Sequence, residues 1–261
     1  MNIVFIGAGN VATNLCRAFY RNGHDILQVF SRTSDSADRM SDLFECSATT
    51  NIDDVRKDAD VYVFAVKDSV LEELAIRLAA RIPDKMFVHT AGSMPLEVLK
   101  VTHKAVMYPM QTFSKFREVD MRDVPVFVEA ATREDLSVVR ALSESVSSNV
   151  REMSSEDRRY LHLAAVYCCN FVNHCYVLGA EVLSRRGIPF DVMLPLIDET
   201  ASKVHSCTPS KAQTGPAIRW DENVIEKHRQ LLNDAPSLRE LYDMFSKSIH
   251  DRNSNVVVSD E

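Results

Sequence analysis

The stretch Gly7-Ala-Gly9-Asn10-Val11-Ala12 sets two glycines and a small residue at the spacing G-x-G-x-x-A. Asn2 to Ile6, just before it, is rich in β-branched and aromatic residues and reads as a buried strand. Just after it, Val11, Leu15, Ala18 and Phe19 recur at helical spacing. A tight strand-to-helix turn alone would explain the glycines. With these flanks the pattern also suits a dinucleotide pyrophosphate: Gly7 allows the turn, Gly9 lets a phosphate approach the backbone, and Ala12 lets helix pack on strand. The N–H groups of Asn10 and Val11, at the helix start, face that phosphate with a partial positive charge.

A second strand spans Asp25 to Phe30, and its end carries Ser31-Arg32-Thr33. An Asp or Glu there would bond a ribose 2′-hydroxyl; a guanidinium flanked by two hydroxyls suits a 2′-phosphate instead. NADP is therefore expected over NAD. Val66 ends the apolar strand Asp60–Val66 and Lys67 follows it, while Thr90 and Gly92 follow the strand Met86–His89. The ends of such strands line the ligand crevice of an open α/β sheet, so these four residues are expected beside the cofactor.

Acid–base chemistry has fewer candidates. His162 and Asn170 lie eight apart on a long predicted helix, roughly 80° around an ideal α-helix. Imidazole titrates near neutrality, so His162 is the candidate proton donor and Asn170 the group that orients a substrate carbonyl or carboxylate. His162 packing an interdomain seam is the plainer alternative. Arg219, in the loop 214–221, suits a substrate carboxylate, with Asp221 holding the guanidinium; an internal ion pair that pins the loop is equally consistent. Cys168, Cys169, His174 and Cys175 share one helix without a C-x-x-C pair, so no metal is expected.

These residues need a scaffold. Strands and helices alternate from residue 1 to about 152, as in a Rossmann-type, mostly parallel sheet. From 153 to 250 the apolar spacing is helical, predicting an all-α domain for substrate binding and dimerisation. Residues 251–261 read as a disordered polar tail. The expected segments include a strand near Ala105–Met107, a rigid loop Tyr108–Phe113, and one helix Tyr160–Leu183 apolar enough to require burial in its own domain or against a second subunit. The chain has 261 residues and a net charge of −7 without a basic block, which argues against nucleic-acid binding. Apolar runs fall short of a membrane span, and the first strand leaves no room for a signal peptide. Six cysteines without a regular framework fit a cytoplasmic chain with reduced thiols.

With these motifs in hand, the first half resembles the Rossmann domains of pyrroline-5-carboxylate reductase and of deazaflavin-dependent NADP oxidoreductases. The whole chain resembles a bacterial two-domain family of NADP oxidoreductases with a C-terminal helical domain of unknown function. Val4 to Ala12, His89-Thr-Ala-Gly92 and Tyr108-Pro-Met-Gln-Thr-Phe113 carry the resemblance first, then His162 to Asn170, Leu194-Pro-Leu196, Thr214 to Asp221, and His228. Family members more often have His at the position of Tyr108 and Gly at that of Trp220. The resemblance implies hydride transfer between NADP(H) and a small carbonyl, imine or hydroxy compound in an interdomain cleft, by a homodimer joined through the helical domain. Related dehydrogenases place a Lys and an Asn on the long helix; lacking the Lys, this helix offers His162. A non-catalytic NADP(H)-binding regulator or scaffold is the alternative. A methyltransferase fits the glycine turn and the Arg32 site less well.

Overall fold

In the computed structural model, which describes residues 1–115 and 117–256, the alternation seen in the sequence becomes an eight-stranded sheet. Its elements are β1 (Asn2–Ile6), α1 (Asn10–Arg21), β2 (Asp25–Phe30), α2 (Ser34–Phe44), β3 (Ser47–Thr49), β4 (Val61–Phe64), α3 (Asp68–Ala79), β5 (Met86–His89), β6 (Lys104–Pro109), β7 (Val126–Ala130), α4 (Arg133–Glu144) and β8 (Val150–Glu152). The strand order is β3-β2-β1-β4-β5-β6-β7-β8. Every neighbouring pair is parallel except β6 and β7.

The register explains the apolar strands. Along β1, Ile3 and Phe5 enter a core with Leu15 and Phe19 of α1, while Val4 and Ile6 enter another with Leu71 and Leu78 of α3. A parallel sheet covered on both faces needs such uninterrupted apolar runs. Short β3, with no apolar run, escaped the sequence reading. The loop expected at Tyr108 is also corrected: Tyr108 and Pro109 belong to β6, paired with Phe127 and Val126 of β7. Proline can close a strand where its missing N–H is not needed.

Helices follow: α5 (Ser155–Ala165), a π-helical turn (Val166–Phe171), α6 (Val172–Ser184), α7 (Leu194–Ser206), α8 (Pro209–Ala212), α9 (Glu222–Leu231) and α10 (Pro236–Val256). α10 continues past residue 251, where the polar tail is expected to begin, and 257–261 lie outside the described residues. The chain divides into two compact units, Met1–Phe171 and Val172–Glu261.

The helical stretch Ser155–Ser184 changes one expectation. It has 30 residues and an 18-residue window of mean hydropathy 1.3, so by length and composition it is long and apolar enough to cross a bilayer. Asn170, Asn173 and His174 interrupt the apolar run without adding fixed charge, which hid this in the sequence. A helix that packs against another protein has the same composition. The expected burial is not found within the chain: no residue from Val166 to Ser184 is buried. In the second unit the buried cluster is Leu232, Ala235 and Leu238, packed by Leu178 and Tyr242. All six cysteines are free thiols.

Candidate functional site

A cavity of about 580 Å³ opens in the first unit, beyond the carboxyl ends of the parallel strands around β1 and β4. The strand order reverses between those two, at the switch point where open α/β sheets bind ligands. Gly7, Gly9, Asn10 and Val11 line it from the first turn, Ser31, Arg32 and Thr33 from the end of β2. Val66 and Lys67 contribute from the end of β4, and Thr90 and Gly92 from the end of β5. The eleven residues expected at the cofactor thus share one cavity.

The glycines differ in what they permit. Gly7 has φ +123° and its missing Cβ would collide with the Ala65 carbonyl, so the β1–α1 turn passes β4 only with glycine here. A Cβ at Gly9 would meet nothing within 4 Å, so its backbone faces open space. Gly9 caps α1 without a side-chain hydrogen bond, and the first turn holds no acid. The helix N–H groups are therefore left for a ligand.

Lys115 was not legible as a site residue. It reaches the cavity from the segment that follows β6, and burial first, then the nearby Arg39 charge, lower its pKa. Cations at Arg32 and Lys115 favour a phosphate.

At the other end of the cavity, His162 of α5 meets Tyr108 of β6. Tyr108 Oη and His162 Nδ1 are 3.0 Å apart, with the rings edge to face. A Cβ on Gly92 would stand 2.6 Å from His162 Nδ1 and 2.9 Å from Tyr108 Cε2, so the absent side chain makes room for both rings. Burial raises the Tyr108 pKa, opposed by the Arg158 charge.

Arg158, one turn before His162, is fully buried. Its guanidinium donates to Glu129 at 2.6 Å, to the Met94 carbonyl at 2.6 Å and to Ser155 Oγ at 3.0 Å. Ser155 Oγ also donates to Glu129 and accepts from Leu96 N–H. This network fastens α5 to the sheet and so fixes His162. His89 lies in the same buried layer; burial, then Arg158, push its pKa down to about 3. It stays neutral, with Nδ1 accepting from the Ala91 N–H.

A family profile described as NADP oxidoreductase, coenzyme F420-dependent, matches residues 2–92. One described as a domain of unknown function, DUF2520, matches 124–249. A structure from Bacteroides fragilis, provisionally named an NADP oxidoreductase, is 49% identical, covers 96% of this chain and 98% of its own, and superposes with a TM-score of 0.93. The chain belongs to this two-domain NADP oxidoreductase family.

Other similarities show the fold. A Thermotoga maritima protein is 23% identical over 97% of this chain and 99% of its own, with TM-score 0.80. An imine reductase from Myxococcus stipitatus, in complex with NADP+, is 13% identical over 99% and 95%, with TM-score 0.68. None of the curated proteins compared with the chain matches it. The family's cofactor is NADP, and the cavity fits it: an open glycine backbone, an uncapped helix start, and Arg32 where NAD sites place an acid.

Asn170 and Arg219 fall elsewhere. Asn170 is exposed in the π-helical turn and does not line the cavity. That turn, with its wider i→i+5 bonding, also voids the angle expected from an unbroken α-helix. Arg219 is exposed in the second unit, where Asp221 instead caps α9 by accepting from the Val224 N–H at 3.4 Å. Among the described residues no cluster of His, Cys, Asp or Glu could hold a metal.

Proposed function

We propose that the chain transfers hydride between NADP(H) and a small carbonyl, imine or hydroxy compound, at the end of the cavity where His162 stands. The observation that carries this reading is the continuity of one cavity from the phosphate turn and Arg32 to the His162–Tyr108 pair. The cofactor, when bound, supplies the hydride. Gly9, Asn10 and Val11 bind its pyrophosphate; Ser31, Arg32 and Thr33 bind its 2′-phosphate; Val66, Lys67, Thr90 and Gly92 border the remainder. His162 serves the proton.

The test is NADPH oxidation with propanal and pyruvate as carbonyls and 1-pyrroline as an imine. Turnover of at least one probe, reduced at least 30-fold in His162→Ala, is expected. Tight NADPH binding without turnover would leave the regulatory alternative.

The proposal includes a homodimer joined through the helical region. Val177, Val182, Val192 and Leu196 are each more than 40% exposed, and covering each would contribute about 1.5–3 kcal/mol. Sedimentation velocity should show a dimer that Leu196→Asp splits. The cytoplasm, where its six thiols would stay reduced, is the proposed location.

A further inference from the structure

We infer that Tyr108 is the proton donor of this reaction and that His162 positions its hydroxyl and returns the proton. The inference rests on the hydride-transfer reading above.

Tyr108 has the more rigid support. It lies near the end of β6, paired with Phe127, and is followed by buried Pro109. Its phenol lines the cavity, and its oxygen is 3.0 Å from His162 Nδ1. A phenol oxygen can accept one hydrogen bond while donating another. If His162 carries its proton on Nδ1 and donates to Tyr108, the phenol O–H is free to point at a substrate. Burial keeps that phenol protonated at neutral pH. His162 is only partly buried, so Nε2 can exchange with water.

The step balances in the reductive direction. As hydride from NADPH reaches the carbon of a C=O or C=N bond, the π pair moves to the oxygen or nitrogen. The Tyr108 O–H bond breaks and a new O–H or N–H bond forms on the substrate. The phenolate takes the Nδ1 proton of His162, and Nε2 takes a proton from water. In the oxidative direction each proton moves back.

Two features of the surroundings serve this pair. Gly92 leaves the space that both rings occupy. Arg158 holds α5 one turn before His162, and its buried charge favours the transient phenolate.

The experiment compares wild type with Tyr108→Phe, His162→Asn and His162→Ala, using the same three probes at saturating NADPH. NADPH affinity is read separately by nicotinamide fluorescence, and the His162 ring nitrogens by 15N NMR. Tyr108→Phe should bind NADPH within twofold of wild type, lose at least 100-fold in kcat, and shift the Nδ1 resonance. His162→Asn, whose amide can donate from near the Nδ1 position, should retain more kcat than His162→Ala.

Wild-type turnover that Tyr108→Phe changes by less than threefold would overturn the donor role and leave the hydride-transfer reading intact. An unmoved Nδ1 resonance in Tyr108→Phe would overturn the pairing. No wild-type turnover would defeat the hydride-transfer reading and the donor role with it, while the NMR arm would still decide the pairing.

Discussion

The sheet of the first unit and the helices of the second treat their apolar residues in opposite ways. In Met1–Phe171 the sheet is covered on both faces, and Ile3, Phe5, Phe19, Phe64 and Leu78 are at most 1% exposed. In Val172–Glu261 the buried apolar cluster is small, while Val177, Val192 and Leu196 are each more than half exposed. The first unit completes its own core and presents a formed cavity. The second presents side chains that gain by being covered. Cofactor binding should therefore depend on single residues of the first unit, and assembly on the face of the second.

Gly9→Asp should have the largest effect. A side chain fits there, since a Cβ meets nothing within 4 Å, but the added carboxylate would face the pyrophosphate. NADPH affinity should fall at least 1,000-fold in a fluorescence titration, with the circular-dichroism melt and sedimentation unchanged. An accompanying loss of dimer would break the proposed division between the units.

Next is Glu129→Gln. Arg158 is buried, and its charge would be left with neutral partners. Removing one member of a buried pair costs about 3–5 kcal/mol, and the amide recovers part of it, so about 2–4 kcal/mol of stability should be lost in urea unfolding. A smaller loss would mean that the Met94 carbonyl and Ser155 carry more of the guanidinium than the carboxylate does.

His89 gives this layer a pH signature. Its folded pKa is about 3, below the usual value of 6.5. Between those values the unfolded chain binds the proton and the folded chain does not. The His89 contribution is thus complete above pH 6.5 and lost as the pH falls toward 3, at up to about 1.4 kcal/mol per pH unit. Urea midpoints from pH 7 to pH 5 should fall in wild type and fall less in His89→Gln.

Arg32→Ala should weaken NADPH about 10–30-fold and leave NADH unchanged, as expected for the loss of a charge-assisted bond of about 1.5–2 kcal/mol. Lys115→Met should act in the same direction by about threefold to tenfold. A loss for NADPH alone would place Lys115 at the 2′-phosphate, and equal losses for NADPH and NADH would place it at the pyrophosphate.

How much of this could be read from the sequence follows the range of the forces involved. The glycine turn, the apolar runs of β1 and β4, and Arg32 after β2 are local signals, and the cavity holds the residues they named. Tyr108 reads as loop in the sequence because Pro109 suggests a break, and only pairing with the distant β7 makes it a strand. Lys115 gains its place from the segment that follows β6 meeting the cavity beside Arg39. Arg158 looks like an ordinary helix arginine until Glu129 and the Met94 carbonyl surround it. The burial expected of the long apolar helix depends on what covers it, and its own sequence does not specify that surface.

The smallest effect concerns one backbone angle of the second unit. Among the described residues, the first unit places a positive φ on Gly7, where it carries no steric cost, and also on Glu45 at φ +52°. In the second, Trp220 has φ +49°, a left-handed conformation that costs a non-glycine residue about 1–2 kcal/mol. Its N–H donates to the Ala217 carbonyl, and the Asp221 N–H to the Pro216 carbonyl, so the turn that leads into the α9 cap fixes the angle. The indole lies against His250 with ring centroids 5.1 Å apart, worth about 0.5–1.5 kcal/mol. Strain and ring contact nearly cancel. Trp220→Gly removes both and should change stability by less than about 1 kcal/mol, whereas Trp220→Ala keeps the strain and loses the contact. Urea unfolding followed by circular dichroism should place Trp220→Ala below Trp220→Gly. Equal midpoints would show that the turn relaxes once the indole is gone, and that the ring contact, rather than the α9 cap, imposes the left-handed backbone.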